Sequence, residues 1–310
     1  MGEYEYRGER SGAEDEEVAA LVVTRRRMIA SLGGMALAAA GVEALILEPK
    51  RLEVTRHFIG RDAGSVGPVL TIVQISDLHL HAIDDLEERV AANVEDLCPD
   101  VVVFTGDSVD RAHRLPVLRD FLRLLDPGLA KYAILGNWEH WCCVELQGLR
   151  SVYEAAGCHL LVNESVVHEH EGAKLLVTGL DDFVGGEPDI AEAFDEWPAV
   201  DNHLLLAHCP AHRDAISFEN STRRDSADRD PGQGSARVPQ YLLSGHTHGG
   251  QVAFLGLAPI RPRGSGRYVA GWYGGAGPEM YVSRGLGWSG LPIRLGSVPE
   301  IALFEWRLTL

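Results

Sequence analysis

Carboxylates and imidazoles recur in five short blocks of this chain: Asp77-x-His79, Gly106-Asp107-x-x-Asp110, Gly136-Asn137, His208, and Gly245-His246-x-His248. The donors are carboxylates, imidazoles and one amide, without a thiolate, which suits borderline to hard divalent metals. Asp77, His79, Asp107, Asn137, His208, His246 and His248 together are too many for one tetrahedral ion. They are natural for two ions that share one carboxylate.

Residues so far apart in sequence meet only if the fold brings them together, and the surrounding pattern supplies such a fold. Apolar, β-branched runs predict strands at 69–75, 101–105 and 132–135, and amphipathic spacing predicts helices at 84–97, 115–125 and 145–156. This alternation of strand and helix implies a mainly parallel sheet. In the second half, a hairpin at 165–168 and 175–178 is followed by strands at 203–207, 241–244 and 301–306, which makes two stacked sheets the expectation. Each block lies directly after a predicted strand, except that His208 closes one. Loops beyond the carboxyl ends of such strands converge on one crevice.

In their order, the blocks resemble the signature of the calcineurin-like metallophosphoesterases, over roughly 52–308. Gly245 to Gln251, with Tyr281 to Gly287, Leu291 to Arg294 and Pro299 to Ile301, is similar to a bacterial branch of secreted or membrane-associated phosphodiesterases. Some members of that branch cleave the pyrophosphate of UDP-2,3-diacylglucosamine. The resemblance implies an α/β fold, a four-layer α-β-β-α sandwich of two mixed sheets. It implies that Asp77, His79 and His248 hold a first metal and Asn137, His208 and His246 a second, with Asp107 bridging. The ions would be manganese, iron or zinc, and a bridging hydroxide would attack the phosphorus of a phosphodiester or pyrophosphate. At one point the chain departs from the family, which usually has His directly after the Asn; here it is Trp138. His140 is then the candidate catalytic acid, unless the leaving group is acidic enough to need none. A metal-binding interaction scaffold with weakened catalysis is the alternative.

Composition narrows the partners. The chain has 310 residues, 28 Lys plus Arg against 45 Asp plus Glu, and a net charge of -17. That field repels a nucleic-acid backbone, so no nucleic-acid partner is expected. The five cysteines lack CxxC spacing, which argues against both a disulfide framework and a thiolate zinc site; most are expected in the core. Residues 1–23 read as an acidic disordered tail. At 24–47, Arg25 and Arg26 precede an apolar run, a pattern resembling a twin-arginine export signal that is either cleaved or kept as an anchor. Export would place the protein in the periplasm or otherwise outside the cytoplasm. Residues 50–310 are expected to form a single domain with a mobile loop at 219–237, poor in core residues. Trp138, Trp141, Trp272 and Trp288 serve either as packing or as an apolar rim. The rim reading suits a phosphorylated, lipid-linked substrate at a membrane surface.

Overall fold

A computed structural model describes residues 27–36, 38–60, 67–195, 200–216, 239–253, 258–275 and 277–310. The acidic tail, Arg25 and Arg26, and the 219–237 loop lie outside the described residues. The chain divides into two compact units, one ending at Leu47 and one running from Glu48 to Leu310. In the first, a helix begins at Arg27. Over Arg27–Lys50, mean hydropathy reaches 1.8, so the helix is long and apolar enough to cross a membrane.

The second unit is built on two six-stranded sheets. The first places β1 (Glu53–Ile59), β12 (Glu300–Arg307), β2 (Val69–Ile75), β3 (Val101–Thr105), β4 (Ala130–Ile134) and β5 (Cys158–Leu160) side by side in that order. Only the β12–β2 pair is antiparallel in it. The second runs β10 (Gly271–Tyr273), β11 (Glu279–Val282), β9 (Tyr241–Ser244), β8 (Asn202–Leu206), β7 (Ala173–Gly179) and β6 (Glu164–His170). Its outer pairs β10–β11 and β7–β6 are antiparallel and the inner ones parallel.

Alternation of side chains along each strand sorts the core into three layers of contact. Leu70, Ile72, Val101, Val103 and Phe304 of the first sheet meet Leu175, Val177, Leu204, Leu206 and Leu243 of the second. The other face of the first sheet, with Val73, Ile75, Val102 and Phe104, is covered by Val90 and Val94, Leu118 and Phe121, and Leu149 and Tyr153. These come from helices α1 (Asp85–Leu97), α2 (Leu115–Leu122) and α3 (Leu146–Glu154). The other face of the second sheet packs Leu205, Leu242, Met280 and Val282 against Ala193, Ile216 and Tyr268. The result is a four-layer α-β-β-α sandwich of two mixed sheets. Central strands buried on both faces explain the apolar runs Val101–Phe104 of β3 and Leu204–Leu206 of β8, since each large apolar side chain buried there contributes about 1.5–3 kcal/mol.

Some expectations need correction. Only Cys158 and Cys209 are buried; Cys98 and Cys143 are exposed, and all five are free. Cys98 closes α1 with a left-handed φ of 45°, and Cys143 lies in a turn with φ 50°, so both serve as chain reversals at the surface. Helix α2 stops three residues earlier than the spacing suggests, where Asp126, capping Gly128 N through Oδ1 at 2.8 Å, turns the chain toward β4. Tyr268 is fully buried, and Trp272, 38% exposed, lies edge-on to Tyr281 and Phe304, so packing takes up part of its ring.

Candidate dinuclear metal site

The loops leaving β2 and β3 are zipped together. Asp77 N donates to Gly106 O (3.1 Å), His79 N to Asp107 O (2.9 Å) and Leu80 N to Ser108 O (3.0 Å). This pairing sets Asp77, His79 and Asp107 beside one another. Asn137 follows β4, His208 follows β8, and His246 and His248 follow β9, so all seven residues gather at the same end of the two sheets. Asp77, His79, Asp107, His246 and His248 have φ of 52°, 44°, 53°, 73° and 50°. Left-handed backbone of this kind costs about 1–3 kcal/mol per residue and persists where the surroundings enforce it, typically at functional sites.

Two groups of donor atoms result, Asp77 with His79 and His248, and Asp107 with His208 and His246, each with its atoms within 4.8 Å of one another. His79 Nε2 and His248 Nε2 face each other at 3.2 Å, and His248 Nε2 is 3.5 Å from Asp77 Oδ1. Asp107 Oδ2 lies between the groups, 3.1 Å from His208 Nε2 and 3.7 Å from His79 Nε2. Asn137 Oδ1 is 2.8 Å from His246 Nδ1. All seven side chains are buried.

Elsewhere the shell is rigid. Ser76 Oγ donates to Asp77 Oδ2 at 2.5 Å, and His246 N donates to Asp77 Oδ1 at 2.9 Å. A Cβ at Gly245 would lie 1.9 Å from Ser76 Oγ and 2.4 Å from Asp77 Oδ2, so only glycine fits between the two strand ends. Glu139 was not singled out in the sequence, yet it fastens the loop after β3 to the loop after β4. Its carboxylate accepts from Ser108 N (2.7 Å), Val109 N (3.2 Å), Asp107 N (3.2 Å) and Gly136 N (2.9 Å). Burial and the charge of Asp107 push its pKa up to about 7. The only sequence signal for it was an acid three residues after Gly136, at the start of a short helix.

Electrostatics suit cations. Burial pushes the imidazoles of His79 and His246 down to about 4 and that of His248 well below its ordinary value, leaving neutral rings with lone pairs to donate. Burial also raises Asp77, to about 6, and opposes the charge on Asp107, which His208 nevertheless holds below the usual carboxylate range. Among the described residues, neither carboxylate is paired with a lysine or arginine. His208 balances Asp107, but Asp77 is expensive as a buried anion, and facing imidazole nitrogens 3.2 Å apart match the spacing of ligand atoms around an ion with bonds of about 2.0–2.1 Å. The donor set therefore fits two divalent ions.

His140 lies three residues after Asn137 in the helix Asn137–Trp141, and its Nε2 is 2.7 Å from Asp181 Oδ1. Trp138 is edge-on to His79 (5.8 Å between centroids) and to Trp141 (5.8 Å). Asp181 also went unnoticed in the sequence, because the loop after β7 carries no metal-type spacing.

The sequence profile of the calcineurin-like phosphoesterases matches residues 70–250. This chain belongs to the calcineurin-like phosphoesterase family. It is 31% identical over 294 residues to the uncharacterized metallophosphoesterase YkuE of Bacillus subtilis (strain 168), covering 91% of this chain and 96% of that protein. It is 30% identical over 245 residues to the uncharacterized metallophosphoesterase YkoQ of the same organism, covering 76% and 83%. It is 26% identical to the phosphodiesterase YaeI of Escherichia coli (strain K12), covering 92% of this chain and 99% of that one. As a calcineurin-like phosphoesterase, the protein is a metal-dependent hydrolase of phosphoester bonds with a dinuclear divalent metal site.

Proposed function

We propose that this calcineurin-like phosphoesterase hydrolyses a phosphodiester or pyrophosphate of a membrane lipid. The metals would be held by Asp77, His79 and His248 on one side and Asn137, His208 and His246 on the other, with Asp107 bridging. The observation that carries the assignment is the place of Asp107 Oδ2, within 3.7 Å of a histidine from each group. When bound, the two ions supply Lewis acidity at the phosphoryl group and a nucleophile at neutral pH.

The protein's own groups position and protonate. Glu139 and the paired exits of β2 and β3 hold Asp107 in register with Asp77. The hydrogen bond that His140 donates to Asp181 raises the pKa of His140 against the opposing effect of burial, so His140 holds its proton to higher pH than an ordinary imidazole and can pass it to the leaving oxygen. The name of the Escherichia coli relative supports a diester substrate. A lipid is supported by the apolar helix Arg27–Lys50 and by two exposed side chains, Trp141 at 53% and Leu291 at 64%.

Protein stripped with a chelator should lose turnover of bis(4-nitrophenyl) phosphate and regain it with manganese, iron or zinc. No recovery with any of the three would favour the interaction scaffold, the reading to which Trp138 lends weight. Among natural substrates, a preference for cyclic nucleotides over UDP-diacylglucosamine and phospholipids would remove the lipid and leave the hydrolase.

Export through the twin-arginine route is proposed from Arg25 and Arg26 ahead of the apolar helix. Changing both to Lys should retain the protein in the cytoplasm on fractionation. Export that continues undiminished would refute this route.

A further inference from the structure

Beside the candidate metal-ligand cluster, three buried polar atoms have no hydrogen-bond partner among the described residues: His81 Nε2, Asp110 Oδ1 and Arg114 Nε. They lie on residues linked through His81. His81 Nε2 lies 3.9 Å from Asp110 Oδ2, beyond hydrogen-bonding reach, and Arg114 donates through Nη1 to the carbonyl oxygen of His81. The His81 ring is stacked on the indole of Trp288, with centroids 4.6 Å apart and planes at 21°. His81 and Asp110 ride on the same zipped loops that carry His79 and Asp107, which puts this group next to the reacting phosphate of the proposed function.

Buried polar atoms nearly always have partners, and leaving one without costs about 1–3 kcal/mol. Three in one place call for a ligand. The set contains one obligate donor, Arg114 Nε–H, one obligate acceptor, Asp110 Oδ1, and a ring nitrogen that serves as either. A second phosphate would suit Arg114 but face the charge of Asp110, and an ammonium group would meet the reverse conflict. A hydroxyl both donates and accepts, so two adjacent hydroxyls satisfy the whole set, while their C–H face packs on the indole edge. We infer that His81, Asp110, Arg114 and Trp288 bind a vicinal diol on the alcohol attached to the phosphate, as in a glyceryl or sugar group. This rests on the phosphoesterase reading for the position of the phosphate.

The test is calorimetric binding to the full-length, metal-loaded protein, with two ligands whose C–P bond is not hydrolysed: 2,3-dihydroxypropylphosphonate and propylphosphonate. The diol should bind at least about tenfold more tightly, a difference of about 1.4 kcal/mol. Asp110→Ala and Arg114→Met should each bring that ratio to within about twofold, the propyl ligand serving as internal reference. Should Arg114→Met not fold, Trp288→Ala takes its place with the same expectation. Equal affinities in the wild type would mean that the group holds only water, and a ratio that survives the substitutions would equally overturn the site. A protein that discriminates the two ligands but turns over no diester would refute the phosphoesterase reading and keep the diol site. One that hydrolyses diesters without discriminating would refute the diol site alone. Tighter binding of phosphatidylglycerol in mixed micelles than of the soluble diol would assign the diol to a lipid headgroup, and weaker binding to a soluble ester; either supports the site.

Discussion

Replacing Asp107 with Asn is expected to lower kcat/KM by at least about 10³-fold, a loss of about 4 kcal/mol in transition-state stabilisation, and to empty both metal positions together. Removing a residue that served one ion alone would leave the other in place. Asp107 differs because its Oδ2 stands 3.1 Å from His208 Nε2 and 3.7 Å from His79 Nε2, one from each donor group. Its Oδ1 also accepts from Trp138 N at 2.9 Å, so the carboxylate cannot swing toward one side. Metal content by elemental analysis, alongside circular dichroism to show an intact fold, separates this outcome from simple unfolding. Retention of one full equivalent of metal by the Asp107→Asn protein would show that Asp107 serves only one ion.

The largest effect on stability is expected at Glu300. This buried carboxylate stands on β12 and reaches across the interface between the sheets. It accepts from Thr55 Oγ1 of β1 (2.6 Å), from Tyr281 OH of β11 (2.5 Å), and from Arg284 N (3.0 Å) and Nε (3.2 Å) just beyond β11. Glu300→Ala leaves two hydroxyls and the Nε of Arg284 without their shared acceptor, while Arg284 Nη2 keeps Glu53 at 2.7 Å, and the unpaired polar groups cost about 3 kcal/mol. Chemical denaturation at neutral pH measures it; a change below about 1 kcal/mol would show that the network is not stabilising.

The same residue makes an acid-sensitivity prediction with a definite sign. Burial raises the pKa of Glu300, but Arg284 and the hydrogen bonds outweigh it and hold the folded-state value below the ordinary 4.5. The unfolded chain thus binds the proton more readily. The stabilisation is complete above pH 4.5 and is lost as the pH falls through the lower folded value. A Glu300→Gln protein should therefore show a shallower loss of stability with acid than the wild type over that window.

The strand-end residues were legible in the sequence for a physical reason. Central strands such as Val101–Thr105 are buried on both faces, so their apolar runs stand out, and the polar residue that follows each marks the crevice. The edge strands β1 and β10 gave no such signal. β1 alternates polar and apolar residues with half of them partly exposed, and β10 has only three residues held by β11. Side-chain partnerships formed by the fold were equally hidden, because nothing near His140 in sequence announces Asp181, and nothing near His81 announces Trp288. Glu139 was hidden differently: its partners are backbone amides, which carry no sequence signature at all.

The two sheets contribute to the metal-ligand cluster unequally but jointly. Asp77, His79, Asp107 and Asn137 come from the ends of the first sheet, and His208, His246 and His248 from the second. Ions held there would act as a clasp that fastens one half of the sandwich to the other, since anything that binds only the folded state stabilises it by RT ln(1 + [L]/Kd). The melting temperature of this protein should then gauge its own metal loading, rising with the free concentration of the ion and falling as a chelator undoes the clasp.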